Sequence, residues 1–104
     1  MNFPNMYRIR QSFDRTRVQD LPGTVKSELG KLNLGQKVKP GQTVALTAGS
    51  RGVANIAVIL KAAAEYFRAL GAKPFIFPAM GSHGGAKAEG QSALIAHYNV
   101  TEAF

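Results

Sequence analysis

Cysteine is absent from all 104 residues. Disulfides and thiolate metal sites are therefore excluded, and a reducing, cytoplasmic location is expected. Long apolar runs are missing too. The longest are cut by Asn55, Lys61, Glu65 and Arg68, so no membrane-spanning segment is expected. Residues 1–10 hold no apolar stretch of the kind a secretory signal needs. Acidic residues are scarce, with six Asp/Glu against 13 Lys/Arg and a net charge of +7. The excess is uneven: residues 1–51 carry nine basic and three acidic side chains, and residues 52–104 carry four and three. A basic half can meet a polyanion or an acidic partner domain. The basic residues are scattered, without an RNP-type or zinc-finger pattern, so nucleic acid is disfavoured and rests on charge alone.

What is present is a 45% hydrophobic chain of one-domain length. Tyr7, Ile9 and Phe13 alternate with Arg8, Arg10 and Ser12, which predicts a half-exposed edge strand over 7–13. Asp20 offers a helix cap with Pro22 in the first turn. Leu21, Val25, Leu29 and Leu32 recur at helical spacing, predicting a helix over 21–34 that Gly23 and Gly30 weaken. Pro40-Gly41 is a turn signal. A buried strand over 43–47 follows, then the small-residue loop Ala48-Gly49-Ser50-Arg51-Gly52. A helix is predicted over 53–70, stopped by Gly71. Only Lys61, Glu65 and Arg68 make its polar stripe, so it needs cover on most sides. A strand over 75–77 leads into a second loop, and a helix over 87–98 leaves it.

The order strand, helix, strand, helix, strand, helix predicts a doubly wound, mostly parallel, three-stranded α/β sheet. Three strands are few for an open sheet. The expectation is therefore a partial N-terminal α/β domain, part of a larger Rossmann-like domain, with an open sheet edge on which copies of the chain can associate.

The second loop, Pro78-Ala79-Met80-Gly81-Ser82-His83-Gly84-Gly85-Ala86, surrounds one histidine with three glycines. The backbone can turn sharply there and approach a ligand closely. Such loops sit at the carboxyl ends of strands, where open α/β sheets bind ligands. Arg51 and His83 are thereby expected to face one crevice. Arg51 carries a fork suited to carboxylate or phosphate, and an imidazole can take or give a proton. The amides from Gly49 to Gly52, at a helix start, favour an anion. The plainer readings are a solvated Arg51 and a His83 that is only a hydrogen-bonded loop residue. Ser82 lacks a nucleophile-elbow pattern and a neighbouring acid. Residues 49–52 are neither a Walker loop nor a dinucleotide fingerprint. His97 suits a helix carboxyl end better than a metal.

The stretches 47–56 and 78–86 resemble two loops in the amino-terminal domain of the nickel-dependent lactate racemase family, in its less characterised branch. The likeness covers roughly residues 40–104. Ser50-Arg51-Gly52 stands where the family has Thr-Arg-Pro, and Ala48 stands where it has aspartate. Gly81-Ser82-His83 matches a Gly-Thr-His motif, and Gly84-Gly85 replaces Arg-Pro. The resemblance implies a 2-hydroxyacid racemase or epimerase using a nickel-pincer nucleotide. A histidine takes the hydroxyl proton while hydride moves to the cofactor and returns to the opposite face. His83 would be one of two general acid/bases. Ser50, Arg51, Gly81 and Ser82 would bind substrate or cofactor. The family's second histidine, cofactor-bearing lysine and nickel-ligating histidine lie further along its chain, so no metal ligand is expected in this one. The implied partners are a small 2-hydroxyacid and the remainder of a full-length chain, without which these residues would be inactive. Ala48 and Gly84-Gly85 put lactate itself in question as the substrate. The alternative is a stand-alone phosphate- or nucleotide-binding α/β module in which His83 moves no proton.

Overall fold

The computed structural model describes residues 1–49 and 52–103. Ser50, Arg51 and Phe104 lie outside the described residues. The chain is mixed α/β: helices α1 (Leu21–Gly30) and α2 (Leu34–Lys37), strand β1 (Thr43–Ala48), helix α3 (Ile56–Ala69), strand β2 (Lys73–Pro78), a 3-10 turn (His83–Ala86) and helix α4 (Ala88–His97).

α1 begins where Asp20 caps it. The Asp20 carboxylate accepts a hydrogen bond from the Gly23 N–H at 2.9 Å, a cap worth about 1 kcal/mol. A methyl group at Gly23 would push that carboxylate out of its capping position. The helix predicted over 21–34 breaks after Gly30. Asn33 takes a left-handed conformation at φ 52° and starts the short α2. Asparagine adopts that region more readily than most residues, so the chain turns without a glycine.

Pro40-Gly41 forms the predicted turn, with Gly41 at φ 83° and the Gln42 N–H donating to the Lys39 carbonyl at 3.1 Å. The Gly41 N–H also donates to the Gly71 carbonyl at 2.8 Å. The entry to β1 is thereby fastened to the exit of α3. β1 and β2 pair in parallel with Leu46 opposite Ile76 and Ala48 opposite Pro78. Parallel strands need a long crossover, and α3 supplies it.

Val44, Leu46 and Ala48 point to the covered face of the sheet; Thr43, Ala45 and Thr47 are exposed. Ala48, Leu60, Ile95 and Val100 form one core with Leu46, Ile56 and Ile76 against it. Both α3 and α4 thus contribute to a single cluster on one side of the sheet. α1 packs on α3, where the Lys26 Nζ lies 2.6 Å from the Glu65 Oε2 and the Tyr66 hydroxyl donates to the Leu29 carbonyl at 3.4 Å. Cover for the nearly all-apolar α3 therefore comes from the sheet and α1. No described helix is long and apolar enough to cross a membrane.

The strand expected over 7–13 does not form. Those residues have no strand partner among the described residues, and Tyr7, Ile9 and Phe13 are largely exposed. Alternation marks a face that suits a sheet; pairing needs a second strand alongside. The described sheet consequently has two strands, β1 and β2, rather than three.

Leu60 is 8% exposed at the centre of the core. Leu60→Ala should lower unfolding stability by about 3 kcal/mol in denaturant titration; a loss under about 1 kcal/mol would mean that the core lies elsewhere. The Lys26 hydrogen bond, then its charge, hold the Glu65 carboxyl below the usual glutamate range. A lowered folded-state pKa contributes stability above the unfolded value that is lost as pH falls through the folded value. The melting temperature should therefore fall more steeply on acidification through the glutamate range in the native chain than in Lys26→Ala. Both side chains are more than 40% exposed, so the difference should be small and erased by salt.

Candidate functional site

The last register pair, Ala48 with Pro78, puts the two predicted loops side by side. The Ala79 N–H donates to the Ala48 carbonyl at 2.8 Å, so the ladder holds to the point where both loops leave the sheet. Gly49 is exposed there. Ser50 and Arg51 fall outside the described residues, and with them the expected pairing of Arg51 with His83. Gly52 follows at φ 80°. Gly52 does not open the helix as expected. α3 starts at Ile56 from a left-handed Asn55, whose carbonyl accepts from the Ile59 N–H at 3.1 Å. Val53 and Ala54 intervene, so the amide of Gly52 is not a helix-terminal donor.

The histidine loop is built more tightly. Gly81 sits at φ 61°, Ser82 at φ −84° and ψ −5°, and the 3-10 turn then carries His83 to Ala86. Gly84, Gly85 and Ala86 follow one another in left-handed conformations, at φ 61°, 69° and 57°. Glycine adopts this region at no steric cost; for Ala86 it costs about 1–2 kcal/mol. Packing from outside holds the turn. The Gly84 backbone lies directly against Gly90 in the first turn of α4, and a methyl group on either would overlap the other's backbone. At the next residue, the Gln91 Nε2 donates to the Gly81 carbonyl at 2.7 Å. The loop is fastened at Gly81 and at Gly84, the two sides of Ser82-His83.

His83 is half-buried, while Gly81 and Ser82 are exposed. The His83 N–H donates to the Met80 carbonyl at 3.4 Å. Met80 packs on the core cluster, so the loop is rooted in the hydrophobic interior. His97 ends α4 and is exposed. With Gly84, Gly90, Ala93 and Leu94 it lines a shallow depression of about 330 Å³ beside the loop. The larger groove, about 800 Å³, lies elsewhere, along β2 between α3 and α4, and touches no residue of 81–86. Size alone does not favour it as a reaction site, because its lining is chiefly apolar and holds no histidine.

Gly90 and Gln91 were not among the residues that the sequence singled out. One signal was available for Gly90: a glycine inside a helical pattern marks a close backbone approach. Gln91 had none, since its role depends on how α4 lies against the loop. Among the described residues no three His, Asp or Glu side chains converge. His83 and Ser82 by themselves do not make a nickel donor set. What the arrangement offers is one imidazole on a braced backbone at the carboxyl edge of a parallel sheet.

Comparison with protein-family models, curated proteins and solved structures found no match to this chain.

Gln91→Leu keeps the helix but removes the donor to Gly81, and Gly90→Ala forces the loop off α4. Amide exchange at 81–86 should quicken by about fivefold in Gln91→Leu, as expected for the loss of a hydrogen bond worth about 1 kcal/mol. Gly90→Ala should produce the larger change. Unchanged exchange in both variants would mean that the loop holds itself.

Proposed function

We propose that this chain supplies a proton-carrying histidine to a 2-hydroxyacid racemase or epimerase of the nickel-dependent lactate racemase type. The observation that supports this reading most is the placement of His83. It sits half-buried on a braced glycine loop at the carboxyl end of a parallel strand, where α/β sheets bind small ligands. A residue that was merely a surface histidine would need no such bracing.

In this reading the substrate hydroxyl lies against the His83 imidazole, which takes its proton and returns it. Both functions need a fixed nitrogen within about 2.6–3.2 Å of the hydroxyl oxygen. Gly81 and Ser82, exposed on the same loop, present backbone and hydroxyl groups to the substrate carboxylate. Ser50 and Arg51 belong to the same reading as anion binders on the neighbouring loop. The nickel cofactor of that family would be held by residues outside this chain. The sheet would then be the start of a doubly wound, Rossmann-like domain in a cytoplasmic enzyme. The apolar groove along β2 is a surface that such a domain would cover.

The test is interconversion of the enantiomers of a small 2-hydroxyacid by the native gene product. His83→Gln should lower kcat by about 100- to 10,000-fold, the usual worth of a general acid/base, with the melting temperature unchanged. Near-normal turnover would remove His83 from the reaction. Micromolar binding of a nucleotide without turnover would favour a phosphate-binding module instead.

A further inference from the structure

The two edges of the sheet are not equivalent. The Lys73 and Ala79 N–H groups donate to the Gln42 and Ala48 carbonyls. In a parallel ladder of this register the odd-numbered residues of β2 therefore face β1. Its even-numbered residues, Pro74, Ile76 and Pro78, face outwards, and two of them have no N–H. Proline on an outer position is a device that blocks strand addition. On β1 the outward-facing residues are Thr43, Ala45 and Thr47. All three keep their N–H and C=O groups, and no strand lies alongside them among the described residues. The β1 edge can accept a strand; the β2 edge is blunted.

The chain also carries a strand-like segment with nothing to pair with. Phe3, Tyr7, Ile9 and Phe13 stand at odd positions, which a strand would place on one side, and are 73–86% exposed. Residues 1–20 are exposed throughout. The molecule is 68 Å long by 35 by 23 Å, with a radius of gyration of 18.8 Å, where a compact chain of this length has about 13 Å. Exposed apolar residues at alternate positions, an open edge and an apolar sheet face at Ala45, Phe75 and Phe77 are complementary.

We propose that the arm of one copy, residues 7–13, adds as a third strand to the open β1 edge of a second copy, giving an arm-exchanged dimer. Main-chain hydrogen bonds from the three outward residues of β1 hold it, and its apolar side joins the face of Phe75 and Phe77. This is strand addition, with the chain as its own partner. The proposal does not depend on the role of His83.

The experiment is sedimentation equilibrium of the whole chain across a concentration series, with the variant Tyr7→Asp/Ile9→Asp. The unsubstituted 104-residue chain should reach twice its 11.1 kDa mass. The variant should weaken the dimer by about 100-fold, the scale of losing interface anchors. It should retain the far-ultraviolet circular dichroism of the body, because the arm is exposed. The absence of cysteine permits a second readout. Ile9→Cys chains mixed with Ala45→Cys chains should be joined by a short bis-maleimide into a covalent dimer. A chain that stays monomeric at every concentration would overturn the proposal. A dimer that survives the double aspartate variant would do the same. Cross-linking only within one chain carrying both cysteines would also overturn it, by placing the arm on its own body.

Discussion

The parallel register of β1 and β2 is the constraint on which the rest depends. It fixes Ala48 beside Pro78, so that both small-residue loops leave the sheet at one edge. It requires a crossover, which α3 provides, and so places a nearly all-apolar helix against one face. It also decides which backbone groups face outwards on each strand. The position of the candidate site and the inequality of the two sheet edges are both consequences of this one pairing.

The second constraint is the contact between the histidine loop and α4. Three successive left-handed residues would not persist on their own local preferences. They are held because Gly84 and Gly90 allow two backbones to touch and because Gln91 bonds Gly81. The loop is thereby coupled to the core twice, through α4 with Ile95 and through Met80. The stability of the core and the geometry around His83 are linked for this reason. A change in α4 far from His83 in sequence should move it.

Much of the fold was legible because its signals are local. The apolar runs of β1 and β2, the long α3, the turn at Pro40-Gly41 and the helix stop at Gly71 each come from neighbouring residues. The early break of α1 was less legible, since Gly30 weakens a helix without ending it and the turn falls on Asn33. The missing strand over 7–13 is instructive. Its alternation is real, but pairing is non-local and no composition rule reveals whether a partner is present. The loop histidine could be read from its glycines. Its braces, Gly90 and Gln91, became visible only when α4 was placed against the loop. The donor expected at Gly52 failed because helix onset was set by Asn55, three residues later.

A proton carrier must touch the atom whose proton it carries. The most direct test is therefore the position of a 2-hydroxyacid bound to the native protein, determined crystallographically. The account predicts its hydroxyl oxygen about 2.6–3.2 Å from a ring nitrogen of His83, with the carboxylate towards the neighbouring loop. A substrate bound with its hydroxyl out of reach of His83 would contradict it.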